Sequence, residues 1–222
     1  MTDNEREIVV GIAQWLPRAG GLEDAIEFTG RLAEQGCELV VLPELWPCAH
    51  DPADPAGVAR EVKRHAEAID GPRTRALADT ARDHGIWLAA GSVPESTEAG
   101  TFNTALLFSP EGALLASHRK ARLYRPMHED LAFEPGRSLT VCDTQAFGRV
   151  GLLVCFDGDF PETARALRRS GARVVIQVNA YEEGARSWWD LIYPAHALSN
   201  GQWWIMANQC GTQGETTFLG SS

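Results

Sequence analysis

Cys155 closes an apolar run, residues 150–154, in the segment VGLLVCFDGDFPE at 150–162, and the chain then turns at once towards a helix start. The run reads as a strand covered on both faces. Gly158 permits a turn, and Pro161 with Glu162 is the composition of a first helical turn. A thiol placed there projects from the carboxyl end of a strand, where open α/β sheets bind ligands, and nearby helix amide donors favour an anionic sulfur. Alone, such a cysteine is more simply a small buried hydrophobe. Two further strand ends change that balance. In CELVVLPELW, residues 37–46, the apolar stretch 39–42 stops at Pro43 and delivers Glu44, a carboxylate able to act as general base. In ALLASHRKARLY, residues 113–124, Lys120 follows the apolar part, and an ammonium balances a thiolate or a developing oxyanion. Singly, Glu44 is as readily a solvated strand terminus, and Lys120 one of 20 basic side chains. Three such groups, each closing an apolar strand, point to nucleophilic catalysis.

The motifs LPELW around Glu44, HRKARL around Lys120 and VCFDGDFPE around Cys155 occur in the order found in the nitrilase or carbon–nitrogen hydrolase superfamily, which the chain resembles from about residue 8 to residue 222. EDLAFEPG, residues 129–136, resembles the family segment with a second glutamate, here Glu129. Weaker matches are GSVPE at 91–95, FNTALLFSPEG at 102–112 and PAHALSNGQWWIMANQCG at 194–211. The resemblance implies a four-layer α-β-β-α sandwich over a single domain, residues 1–222, assembled into homodimers or higher homo-oligomers through helix faces. It also implies that Glu129 positions Lys120 and the substrate. The chain departs from the family pattern at Arg122, where a histidine is usual, and at Ser199, where a glutamate is common. Family members also continue with further strands past the GSS-like segment. The sheet is therefore expected to lack its C-terminal strands, so that either the polypeptide is longer or residues 203–222 are covered by a neighbouring subunit.

The residue types suffice to write a mechanism. A free thiol titrates near ~8.5 and is mostly protonated at neutral pH, so a base is needed. Glu44 takes the thiol proton and Cys155 attacks the carbonyl carbon of a small amide-like substrate. Lys120 and the backbone N–H of Phe156 hold the oxyanion. Glu44 protonates the departing ammonia or amine, then activates the water that hydrolyses the thioester. Aromatic residues expected near the site, Trp46, Tyr181 and Trp188, are candidate substrate contacts, although Trp188 and Trp189 serve equally well as core or interface residues. FEPG at 133–136 stands where true nitrilases in the superfamily carry Trp-Gly-x-Gly-Asp, which favours amide or N-carbamoyl hydrolysis over nitrile hydrolysis. Acyl transfer to an amine or alcohol uses the same three residues. A non-catalytic binding relative is expected to have lost one of them, and a redox-sensing Cys155 lacks a resolving cysteine nearby.

Composition narrows the remaining classes. A formal charge of −10 with no basic run argues against nucleic acid. No apolar stretch approaches a membrane span, and the start MTDNERE is polar and acidic, so a cytoplasmic protein without membrane association is expected. Five cysteines without a CxxC pair, and histidines without metal-ligand spacing, support neither zinc nor disulfides. No cofactor is called for.

Alternating patterns predict strands at 7–14, 37–42, 86–91, 103–109, 113–117, 149–154, 173–178 and 203–208, and helices at 22–36, near 57–84, at 161–170 and at 186–200. The βαβα order implies a layered α/β domain, and the Pro-rich loop 48–57 just beyond Glu44 suits covering a site.

Overall fold

Side-chain alternation along short strands decides how the layers stack. The computed structural model describes residues 7–18, 20–49 and 51–222, so the first six residues, Ala19 and His50 of the Pro-rich loop lie outside the described residues. One sheet runs in the order β1 (Val10–Ile12), β2 (Leu39–Val41), β3 (Trp87–Thr97), β4 (Gly100–Phe108) and β5 (Leu114–Arg119). Its first three strands are parallel, and β3, β4 and β5 form an antiparallel meander. A second sheet runs β6 (Thr140–Thr144), β7 (Gly148–Val154), β8 (Val174–Asn179) and β9 (Trp203–Asn208), parallel from β7 onwards.

Leu39 and Val41 face the second sheet, where Leu152, Val154, Ile176 and Val178 complete one core cluster. Val40 and Leu42 point the other way, against Ala25 of helix α1 (Leu22–Glu34) and Leu77 and Ala81 of α3 (Pro72–His84). On the outer face of the second sheet, Leu153 and Val175 pack against Leu167 of α4 (Pro161–Arg169). Helix α5 (Arg186–Asn200) lies beside α4 on that face. The result is the expected helix–sheet–sheet–helix sandwich. Each fully buried Leu or Val contributes about 1.5–3 kcal/mol, so the strands are held by burial on both faces rather than by their length.

The helical region near 57–84 is two helices, α2 (Pro55–His65) and α3. Asp54 caps α2 by accepting from the Ala56 N–H at 3.1 Å, and Ala66 leaves the helix in an extended conformation. Pro72 then starts α3 at the first-turn position that proline tolerates. Two features lay outside the sequence reading: β6, an edge strand with the mixed sequence TVCDT, and a hairpin of β10 (Cys210–Gln213) and β11 (Thr216–Leu219). Among the described residues, no helix is long and apolar enough to cross a membrane.

Candidate active site

Glu44 lies beyond β2 in a turn that glycine makes possible. Gly91, with φ +66°, sits at a bulge of β3, and a Cβ there would come within 2.1 Å of the Pro43 carbonyl oxygen. The next residue, Ser92, accepts the Leu45 N–H at 3.0 Å. The Glu44 backbone is then pinned from the opposite sheet: its N–H donates to the Asn179 carbonyl at 3.2 Å and its carbonyl accepts from Gln209 Nε2 at 2.8 Å. The carboxylate is buried, with Oε1 accepting from Asn103 Nδ2 at 2.8 Å and from Lys120 Nζ at 2.9 Å.

Lys120 follows β5, its N–H bonded to the Asn103 carbonyl at 2.8 Å. Its ammonium is shared, donating also to Glu129 Oε1 at 2.6 Å. Glu129 Oε2 accepts the Tyr124 N–H at 2.6 Å, which fixes the second carboxylate on a short turn, Glu129–Leu131. Cys155 is the first residue after β7 and has φ +47°, a left-handed conformation costly for a residue with a side chain. Its carbonyl accepts from Gln177 Nε2 at 3.1 Å. Gly158 was expected to supply the permissive turn, but the positive φ falls on Cys155. What Gly158 supplies is space, since a Cβ there would lie 2.0 Å from Gln177 Oε1.

Asp157 ties the cysteine turn to the lysine turn. Its Oδ1 accepts the N–H groups of Ala121 and Arg122 at 3.0 and 2.8 Å, and its Oδ2 lies 3.0 Å from His118 Nε2. Asp159, two residues on, accepts hydroxyl hydrogen bonds from Tyr181 and, at 2.7 Å, from Tyr193.

Glu44, Lys120, Glu129 and Cys155 all line one cavity of about 350 Å³, with Tyr181 and Trp188 in its wall. Phe156 lines it too, its ring against Tyr124 at 5.0 Å and Phe160 at 5.1 Å. Trp46 does not. It is fully buried in the core between the first sheet and its helices, with its indole N–H donating to the Ala90 carbonyl at 2.8 Å. Leu45, at φ +46°, sits between Glu44 in the cavity and Trp46 in that core. Trp189 is buried against Tyr181 and Tyr193, whereas Trp188 is 55% exposed at the cavity mouth. Pro52 and Val58, from the Pro-rich loop and α2, cover the cavity, and Phe218 of the hairpin closes another side.

The electrostatics correct one expectation. Burial and then the Glu44 carboxylate push the Cys155 thiol well above its ordinary range, against a weaker opposing pull from Lys120. The residues following Cys155 form only a short 3₁₀ turn, and α4 begins at Pro161, so helix amides do not make the sulfur acidic at rest. Burial also works against the Lys120 charge, but Glu129 and Glu44 outweigh it, and the ammonium is held well above its usual range. Glu129 is pushed up to about 7 by burial, opposed by Lys120. The resting site thus holds a neutral thiol beside an ammonium bonded to two carboxyl groups. Such a set titrates as one coupled unit.

Asp157, Asp159, Asn103 and Gln177 were not identified from the sequence. CFDGD, with two aspartates within four residues of the cysteine, was the available signal.

The sequence matches the carbon–nitrogen hydrolase family over residues 9–222. It is 31% identical over 191 residues to omega-amidase NIT2 of Danio rerio, spanning 82% of this chain and 66% of that protein. With omega-amidase NIT2 of Homo sapiens it is 31% identical over 184 residues, 79% of this chain and 64% of that protein. The chain therefore spans just under two thirds of the length of these relatives. Among solved structures, a glutamate-to-glutamine variant of the amidase from Nesterenkonia sp. AN1, with the acetamide moiety of fluoroacetamide covalently added at its active-site cysteine, superposes with a TM-score of 0.81 at 29% identity, covering 99% of this chain and 82% of that one. A cysteine-to-alanine variant of the same amidase in complex with butyramide gives 0.76 at 28% identity, covering 95% and 80%.

Proposed function

The chain belongs to the carbon–nitrogen hydrolase family, and from that premise we propose that it is an amidase, hydrolysing a small non-peptide amide through a thioester on Cys155. The observation that carries this reading is Lys120 Nζ, held at 2.9 Å from Glu44 and 2.6 Å from Glu129 in the cavity that Cys155 lines.

Because burial keeps the thiol protonated at rest, Cys155 attacks as its proton passes to Glu44, rather than from a standing thiolate. The S–C bond forms at the amide carbonyl, and its oxygen takes up negative charge next to the Lys120 ammonium and the Phe156 N–H. Glu44 delivers the thiol proton to the leaving nitrogen, the C–N bond breaks, and ammonia leaves. Water then loses a proton to Glu44 as it attacks the thioester. The acid is released and the proton returns to sulfur. Glu129 holds Lys120 in place through both steps.

Release of ammonia from a panel of short amides, N-carbamoyl compounds and nitriles tests the reading. Turnover of amides ahead of nitriles, lost in Cys155→Ala, is expected. Faster turnover of nitriles, or ammonia release that survives Cys155→Ala, contradicts it.

A further inference from the structure

The charges around the cavity bear on which amides it takes. Among the described residues the lining carries four carboxyl groups, Glu44, Glu129, Asp159 and Glu182, and one ammonium, Lys120. Lys120 is shared by Glu44 and Glu129, so its charge is matched before Asp159 and Glu182 are counted. Basic side chains nearby are engaged elsewhere: Arg122 lies over the Phe160 ring at 4.1 Å, Arg125 faces Asp130 at 3.7 Å and Arg186 faces Glu183 at 3.5 Å. Glu182 is half-buried in a wall that also holds the rings of Tyr124 and Trp188. Its charge is felt at the Tyr124 hydroxyl, which burial and then Glu182 push above its ordinary range.

A carboxylate beside aromatic faces attracts an ammonium both by charge and through the rings. A carboxylate entering the same space meets like charges and, among the described lining residues, no cation beyond the shared Lys120. We infer that, within the amidase reading above, the cavity selects amides whose end distal to the scissile C–N bond is cationic and excludes those ending in a carboxylate, with Glu182 as the specificity-determining side chain.

Three amides of matched length separate the cases: δ-aminovaleramide, hexanamide and the half-amide of adipic acid. Their binding to Cys155→Ala, measured by calorimetry, reads charge selection without turnover. The expected order is δ-aminovaleramide tightest and the half-amide weakest, with ~10-fold or more between the extremes. That ratio should shrink with added salt, and by ~10-fold when Glu182→Gln is combined with Cys155→Ala. Equal or tighter binding of the half-amide overturns the inference, as does binding of none of the three, or an order untouched by both salt and Glu182→Gln. Ammonia release by the wild-type protein from the same compounds tests hydrolysis separately. Absence of ammonia with the binding order intact overturns the amidase reading and supports the charge selection.

Discussion

Asp157, two residues after Cys155, lies 3.0 Å from His118, two residues before Lys120, and both side chains are almost completely buried. The same aspartate receives the N–H groups of Ala121 and Arg122, so one carboxyl group sets the distance between the cysteine turn and the lysine turn. Removing it leaves two part-buried backbone donors and Nε2 of the buried His118 without their partner. Asp157→Ala is expected to cost about 3 kcal/mol of stability, read by urea denaturation, and to lower kcat more than it raises KM. Asp157→Asn, which keeps an acceptor oxygen, should recover a substantial part of both. A variant as stable and active as the wild type removes the positioning role.

Gly158→Ala tests the space behind the nucleophile. Its new Cβ would meet Gln177 Oε1 at 2.0 Å, and the same Gln177 amide donates to the Cys155 carbonyl. Displacing Gln177 shifts the backbone that carries the sulfur, and a shift of about 1 Å can cost ~10²-fold in rate. A kcat within twofold of wild type would show that the turn has slack that this packing denies.

The two glutamates should separate by role. Glu44→Gln keeps the shape but removes the base for both half-reactions, a loss of ~10²-fold or more in kcat. Glu129→Gln leaves Glu44 to act but removes one of the two carboxyl partners of Lys120, and its deficit should be smaller. A larger loss from Glu129→Gln than from Glu44→Gln reverses the assignment.

The strand ends were legible because each catalytic candidate follows a short apolar run that reads as a strand: residues 39–42 before Glu44 and 150–154 before Cys155, both buried, and 113–117 before Lys120, which forms an edge strand with Leu114 and Leu115 exposed. The departures have physical causes. Trp46 was placed at the site because it follows Glu44 by two residues, but the left-handed Leu45 lies between them and the indole is packed in the core. β6 escaped because an edge strand need not be apolar on both faces, and TVCDT alternates poorly. The β10–β11 hairpin escaped because CGTQ and TTFL show little apolar alternation, and the hydrogen bond that seats the hairpin, from the Leu219 N–H to the Tyr181 carbonyl, is tertiary. The lowered thiol pKa expected from nearby helix amides fails because burial and Glu44 push the thiol up, and a short 3₁₀ turn rather than a helix start follows Cys155.

The contribution of Glu129 to stability should fall as pH rises through its titration, against the opposite slope of His65 and His196, which burial lowers. The Glu129 carboxyl holds a proton up to about 7 in the folded protein, against an ordinary value of 4.5. Between these values the folded state binds more protons than the unfolded chain, so the slope of unfolding free energy with pH is negative for this group. Burial raises Asp159 in the same direction, despite its two tyrosine donors. Across this window the thermal midpoint of the wild type should fall relative to that of Glu129→Gln as pH rises. Parallel curves would show that Glu129 does not titrate there.

The most direct test of the central claim is rapid-quench mass spectrometry of the protein mixed with a short aliphatic amide, followed by peptide mapping. An acyl group on Cys155, removed by hydroxylamine and absent from Cys155→Ala, is the predicted result, with Cys37, Cys48, Cys142 and Cys210 unmodified. Ammonia released at the wild-type rate by Cys155→Ala, or an acyl group mapped to another residue, contradicts it.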